Sequence, residues 1–83
     1  MIALELLTRP GCHLCDEMKK AVEQASRGLD IRLTETDIDA ADDDELQTRY
    51  GNDIPVLFVN GSKAFKHRAS VAEIKRRLLI ADR

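Results

Sequence analysis

Two spacings of apolar residues alternate along the first half of the chain. The stretch from Ile2 to Leu7 is almost wholly apolar and of strand length, which is typical of a central strand buried on both faces. From 13 to 27 the apolar residues recur with helical spacing on one stripe: Leu14, Met18, Ala21, Val22 and Ala25. Gly28 is expected to close this helix at its C′ position. Alternation from Leu29 then predicts a half-buried strand that runs to about Asp37.

The second half predicts a short helix, a hairpin and a final helix. The acidic run Asp42-Asp43-Asp44-Glu45 opens a short helix that ends at Gly51, because acidic side chains favour a first helical turn. Residues 56–59 form an apolar strand, and Asn60-Gly61 is a strong signal for a two-residue turn, with a return strand from about 63 to 66. Ser70-Val71-Ala72-Glu73 is a capping-box pattern that opens the last helix.

The predicted element order is β-α-β-α-β-β-α, which defines an α/β fold. The first two strands are joined through a helix, so they are expected to be parallel, and the last two form an antiparallel hairpin. One mixed four-stranded sheet with helices on its faces follows. With 83 residues, 43% of them hydrophobic, the chain is expected to fold as a single domain over 1–83.

Charge and hydropathy exclude several classes of protein. The net charge of −2 argues against a general nucleic-acid binder. No run of about 18 apolar residues predicts a membrane span, and no basic region followed by an apolar stretch predicts a secretory signal. We therefore expect a cytoplasmic monomer that associates with neither membranes nor nucleic acid.

Both cysteines of the chain lie between the first strand and the first helix. Pro10-Gly11 predicts a turn, so Cys12 is expected at the first position of the helix, where unpaired N–H groups and the helix dipole favour an anion such as a thiolate. Cys15 follows three residues later on the same helix face. Because cytosolic thiols are kept reduced, this spacing indicates a reversible dithiol/disulfide pair rather than a structural crosslink.

Other roles for these residues stay open. The cysteines are also compatible with inert thiols or with part of a zinc site, although a structural zinc needs four ligands and only the adjacent His13 and the distant His67 remain as histidine candidates. His13 is either an exposed residue or a group whose imidazolium stabilises the Cys12 thiolate, an effect that Asp16 and Glu17 would partly oppose. We expect no resident metal or cofactor.

Four segments, in this order, resemble the thioredoxin fold and, more narrowly, its glutaredoxin-like branch of small bacterial proteins. They are Thr8–Cys15, Thr36–Asp39, Tyr50–Val56 and Asn60-Gly61. The resemblance implies that Cys12 is the exposed nucleophile and Cys15 the more buried resolving thiol. It further implies that Pro55 is a cis-proline beside the disulfide, that the backbone of Ile54 receives an extended substrate such as glutathione, and that Arg9 binds the carboxylates of glutathione.

Two segments depart from the glutaredoxin pattern. His13-Leu14 stands where glutaredoxins usually have Pro-Tyr or a similar pair. The segment from Phe65 to Ser70 stands where they have Gly-Gly-x-Asp, which binds the γ-glutamyl end of glutathione. Without these glycines and this acidic group, we expect poor turnover with glutathione.

The sequence and the resemblance together predict a thiol–disulfide oxidoreductase. Its substrate would be a disulfide-containing protein or a small-molecule thiol, and an external thiol or reductase would reset the pair, with glutathione as a possible co-substrate. Two alternatives belong to other classes. One is a binding module whose cysteines hold zinc or share an iron–sulfur cluster between two chains, and the other is an interaction domain whose cysteines no longer turn over.

Overall fold

The computed structural model describes residues 1–40 and 44–82, and these form the predicted order of elements. The elements are β1 (Ile2–Thr8), α1 (His13–Ala25), β2 (Ile31–Asp37), α2 (Asp44–Tyr50), β3 (Val56–Val59), β4 (Ser62–Lys66) and α3 (Val71–Ala81). None of these helices is long and apolar enough to cross a membrane.

The four strands form one mixed sheet in the order β2-β1-β3-β4, as predicted. β1 is parallel to β2 and antiparallel to β3, and β3 and β4 form an antiparallel hairpin. Asn60 and Gly61 connect this hairpin with φ angles of 50° and 83°. Two successive positive φ angles are what a type I′ turn requires, so the Asn-Gly prediction is confirmed.

The expectation that β1 is buried on both faces is wrong for most of its length. Ala3 and Glu5 are exposed, and only Leu6 and Leu7 at the end of the strand are buried consecutively. The reason is an unequal cover of the two faces. The longer helices α1 and α3 pack on one face, whereas the seven-residue α2 covers only one end of the other.

The main core fills the space between the sheet and helices α1 and α3. Its buried members are Ile2, Leu4, Leu6, Met18, Val22, Ala25, Leu57, Val59, Ile74 and Leu78. A smaller second core lies on the opposite face and joins Leu7, Ile38 and Val56 to side chains of α2. There the ring of Tyr50 meets that of Phe58 edge-on at 5.8 Å between centroids.

Helix ends agree with the sequence in type and differ by a residue or two in position. Ser70 caps α3 in the predicted capping box with Glu73. Gly28, in contrast, is not the C′ residue of α1, because α1 ends at Ala25 with Ser26 as its C-cap. Gly28, with a φ of 81°, instead belongs to a turn in which the Leu29 N–H donates to the Ser26 carbonyl at 2.9 Å. This turn redirects the chain into β2.

The acidic run before α2 lies only partly in the described structure. Asp44 and Glu45 form the first turn of α2, which agrees with their predicted role at a helix start. Asp42 and Asp43 fall outside the described residues.

Candidate functional site

The two cysteines are joined by a disulfide at the start of α1, with Cα atoms 5.2 Å apart. Cys12 is the N-cap of the helix and has extended backbone angles, and the first helical residue is His13. The sequence placed Cys12 one position too far into the helix. As N-cap its sulfur accepts the Cys15 N–H at 3.1 Å, as the side-chain oxygen of a serine or aspartate does at other helices.

The environments of the two sulfurs differ. Cys15 is 3% exposed and belongs to the buried stripe of α1 with Met18 and Val22, whereas Cys12 is only half-buried. A reagent in solution therefore reaches Cys12 more easily than Cys15. This asymmetry is the one that a nucleophile and a resolving thiol require.

The titratable side chains nearest in sequence to the two cysteines lie in the first turn of α1. His13 is exposed at the first helical position, and Asp16 follows within that turn. The free N–H groups at a helix start favour an anion there, and an imidazolium would act in the same direction. The role of His13 in tuning the thiolate stays a prediction.

The peptide bond between Ile54 and Pro55 is cis, as the resemblance implies. Leu7 pairs with Val56 across β1 and β3, so Pro55 lies opposite the end of β1, where the loop that carries the cysteines begins. Pro55 is buried, and its carbonyl accepts the His67 N–H at 2.8 Å. The Ile54 N–H donates to the Tyr50 carbonyl at 3.1 Å, so this donor is already used within the protein. The role of the Ile54 backbone in receiving a substrate stays a prediction.

Arg9 is already engaged within the protein. Its Nε and Nη2 donate to the two carboxylate oxygens of Asp39 at 3.0 and 3.2 Å, and its Nη1 donates to the Gly51 carbonyl at 3.3 Å. The fork-to-fork contact with Asp39 is the strongest arrangement that these two side chains can make. The residue predicted to bind substrate carboxylates thus meets a carboxylate of its own chain.

Sequence reasoning did not predict the contacts that three residues of this region make: Asp39, Gly51 and His67. Asp39 lies 30 positions from its partner Arg9, and no local pattern signals such a pair. Gly51 ends α2 as predicted, and a Cβ there would lie 2.5 Å from the Gln47 carbonyl oxygen, so the close approach itself demands glycine. His67 has a φ of 64°, and its ring Nε2 lies 2.9 Å from the Asn52 carbonyl oxygen.

A cavity of about 290 Å³ lies between α1 and the start of α3. It is lined by Leu14, Glu17, Met18, His67, Arg68, Ala69, Ser70 and Glu73. Two N–H groups at the start of α3 already have partners in its own side chains, because the Ser70 N–H donates to the Glu73 carboxylate at 3.0 Å and the Glu73 N–H donates to the Ser70 hydroxyl at 3.0 Å. A carboxylate already occupies the position that a helix start offers to an anionic ligand.

Within 1–40 and 44–82, no three or more histidine, cysteine, aspartate or glutamate side chains come together in a way that could hold a metal ion. The arrangement can perform chemistry at the two sulfurs themselves. The fold and the Cys12–Cys15 disulfide support a redox role in general.

Comparisons with known proteins agree with this geometry. Residues 3–79 match the family model described as glutaredoxin-like domain (DUF836). A glutaredoxin-like protein YDR286C homolog from Dictyostelium discoideum is 34% identical over 71 residues, which cover 81% of this chain. The match covers 66% of that relative, so the chain spans just under two thirds of its length.

Solved structures show the same fold. The X-ray structure of target protein XcR50 from X. campestris superposes with a TM-score of 0.78 at 30% identity, covering 93% of this chain and 96% of that one. A thioredoxin from Halobacterium salinarum gives a TM-score of 0.66 at 20% identity over 99% of this chain and 75% of that one, which shows the fold alone. The chain therefore belongs to the glutaredoxin-like (DUF836) family within the thioredoxin-fold superfamily.

Proposed function

We propose that this protein is a thiol–disulfide oxidoreductase that uses Cys12 as nucleophile and Cys15 as resolving thiol. The observation that carries the proposal is the disulfide at the start of α1, with one sulfur half-exposed at the N-cap and the other buried. Fixed close together, the two sulfurs can form and break their bond without unfolding the protein.

In the first step the Cys12 thiolate attacks one sulfur of a substrate disulfide. The substrate S–S bond breaks, a mixed disulfide forms with Cys12, and the other half of the substrate leaves as a thiolate. The Cys15 N–H, which contacts the Cys12 sulfur at 3.1 Å in the oxidised protein, stabilises the attacking thiolate in the reduced one.

In the second step Cys15 attacks the Cys12 sulfur of the mixed disulfide. The bond between Cys12 and the substrate breaks, the Cys12–Cys15 bond forms, and the second substrate thiol leaves. Two electrons have passed from the cysteine pair to the substrate. An external thiol or dithiol reductant then reduces the Cys12–Cys15 bond, so the cycle needs no bound cofactor.

Glutathione is a poor reductant or substrate in this proposal. The Glu73 carboxylate already accepts the Ser70 N–H at the start of α3, and Arg9 is held by Asp39. Protein disulfides or small disulfides that need neither contact are the favoured substrates.

The test separates the two cysteines. Reduced Cys12→Ser and Cys15→Ser proteins are incubated with hydroxyethyl disulfide and examined by intact mass. We expect a stable mixed-disulfide adduct on Cys15→Ser and no adduct on Cys12→Ser, because only Cys12 is accessible. The wild type should instead release both thiols and accumulate the internal disulfide.

Two outcomes would contradict the proposal in different ways. An adduct on Cys12→Ser alone would reverse the roles of the two cysteines. Failure of the wild type and both variants to react, together with stoichiometric zinc or an iron–sulfur chromophore in the purified protein, would establish the metal-binding alternative.

A further inference from the structure

Arg9 lies three residues before Cys12 in the sequence, and the resemblance implies that its guanidinium binds substrate carboxylates. The contacts of Arg9 in the structure are instead with its own chain. Three of its nitrogens donate within the protein, two to the Asp39 carboxylate and one to the Gly51 carbonyl. Both charged side chains are partly open to solvent, with relative exposures of 37% for Arg9 and 43% for Asp39.

Asp39 is held in position for this contact by its own loop. The Asp37 carboxylate accepts the backbone N–H groups of Asp39 and Ala40 at 2.9 and 3.3 Å, which makes an Asx-type turn. The Ile38 N–H donates to the Thr8 carbonyl at 2.9 Å and ties this turn to the residue before Arg9. The carboxylate therefore faces the guanidinium without any ligand to bring it there.

The third contact of Arg9, from its Nη1 to the Gly51 carbonyl, joins the cysteine loop (residues 9–12) to the segment that leads to Pro55. Gly51 follows α2, and its N–H donates to the Gln47 carbonyl at 2.9 Å. A side chain at Gly51 would collide with that carbonyl, because its Cβ would lie 2.5 Å from the Gln47 oxygen. Glycine is thus required here by the Gln47 carbonyl, and the Gly51 carbonyl accepts from Arg9 Nη1 at 3.3 Å.

We infer that Asp39 is a specificity-determining residue that masks the positive charge of Arg9 and converts Arg9 from a carboxylate-binding group into a brace between the cysteine loop and the loop before Pro55. The inference rests on the proposed oxidoreductase function and names its substrate class. The favoured substrates are disulfides without a carboxylate near the sulfur atoms, whereas those that carry one gain nothing from Arg9.

A series of small disulfides of different charge tests the inference. Dithiodipropionate is anionic, hydroxyethyl disulfide is neutral and cystamine is cationic. The reduced protein is mixed with each, and the second-order rate constant for formation of the Cys12–Cys15 disulfide is measured. Each anionic rate is expressed relative to the neutral one, which removes any general effect on the cysteines.

Asp39→Asn is the informative variant, because it keeps the shape of the side chain and removes its charge. We expect its anionic-to-neutral ratio to rise about threefold to fivefold over that of the wild type, the size of effect that an exposed charge pair produces. The gain should disappear in the double variant Arg9→Ala/Asp39→Asn, since the unmasked group is Arg9. Arg9→Ala alone should slow all three disulfides by a similar factor, because it removes a brace and not a binding group.

A control variant accounts for the change in net charge. Asp30→Asn removes one exposed acidic charge before β2, outside the site, and should leave the ratio as in the wild type. A merely structural role for Asp39 would change all rates together and leave the ratio constant. That result would overturn the inference, as would a selective loss of the anionic substrate in Arg9→Ala.

Failure of the proposed function has a different signature. If the wild type reacts with none of the three disulfides, the oxidoreductase proposal falls and the specificity inference falls with it. If the wild type reacts with hydroxyethyl disulfide but Asp39→Asn shows an unchanged ratio, only the inference fails. Circular dichroism spectra of all variants verify that each is folded.

Discussion

At the scale of the residue, Cys12 combines two tasks in one sulfur atom. It caps α1 by accepting the Cys15 N–H, and it is the proposed nucleophile. A neutral thiol is a weak acceptor, whereas a thiolate is a strong one, so a cap that uses sulfur favours the ionised form. We therefore expect the N-cap position to activate the Cys12 thiol.

The first prediction follows from this coupling. In the reduced protein we expect the pKa of the Cys12 thiol to lie below that of an unperturbed cysteine, because the helix start and the Cys15 N–H both stabilise the thiolate. Rates of alkylation by iodoacetamide measured against pH give this pKa. The Cys15→Ser variant is used, so that Cys12 is the single thiol.

His13→Ala in the Cys15→Ser background separates the effect of the helix start from that of the His13 imidazolium. If the helix start is the main cause, the pKa of Cys12 in this variant stays below that of an unperturbed thiol. A return to the unperturbed value would transfer the effect to the His13 imidazolium. A Cys12 pKa at or above the unperturbed value before any change at His13 would contradict the prediction itself.

At the scale of the element, the start of α3 shows how a local sequence pattern becomes a closed structure. Ser70 and Glu73 satisfy each other's backbone N–H groups, which leaves this 11-residue helix with an acidic group at its N-terminus. Hydrogen bonds from the backbone and side chain of Ser70 hold the pKa of Glu73 below its ordinary value of 4.5. Unlike the Arg9–Asp39 pair, this contact joins residues three apart and could be read from the sequence.

The second prediction concerns the pH dependence of this cap. Since the pKa of Glu73 is lowered by folding, its ionised form stabilises the folded state above pH 4.5, and this stabilisation is lost as the pH falls through the lowered pKa. Wild type and Glu73→Gln should therefore differ in stability at neutral pH and converge in acid. Urea unfolding followed by circular dichroism at several pH values measures the difference.

Glu23→Gln is the matched control for the loss of a glutamate charge from a helix. Glu23 is exposed on α1, beyond the first turn of that helix, and it contacts the C-cap residue Ser26 through its backbone carbonyl, which Glu23→Gln keeps. Its replacement should not reproduce the convergence in acid. A difference between wild type and Glu73→Gln that stays constant with pH would show that the carboxylate charge contributes nothing to the cap.

At the scale of the whole molecule, the sequence predicted the elements, their order and the sheet, because each depends on local spacing, turn residues or chain connectivity. Asn60-Gly61 and Ser70–Glu73 are signals of this kind. The exposure of Ala3 and Glu5 could not be predicted from the apolar run of β1, because it depends on how little of one sheet face the seven-residue α2 covers. At the site, the spacing of the cysteines was sufficient to predict that they form a pair. The Arg9–Asp39 contact could not be predicted, because it depends on tertiary structure.

The two cores, on opposite faces of the sheet, share its central strands. Leu6 and Leu57 enter the main core, and their neighbours Leu7 and Val56 enter the second core. Adjacent residues of β1 and β3 thus belong to different cores. Loss of packing in one core therefore disturbs the two strands that also form the other core. We expect the whole chain to unfold in one cooperative step, as small domains usually do.

The last prediction tests this cooperativity with a substitution in one core and an observer in the other. Ile74 is fully buried in the main core, and Ile74→Val should lower the free energy of unfolding by about 0.5–1.5 kcal/mol through the lost methylene group. Tyr50, the single tyrosine of a chain without tryptophan, packs against the second core and reports on it by fluorescence. Urea unfolding curves from tyrosine fluorescence and from far-ultraviolet circular dichroism should shift together.

Ile80→Val makes the same chemical change on the same helix at a side chain that is 57% exposed, and it should shift neither curve. If Ile74→Val moves the circular dichroism curve and leaves the Tyr50 curve in place, the second core unfolds independently, and the shared strands do not couple the two faces.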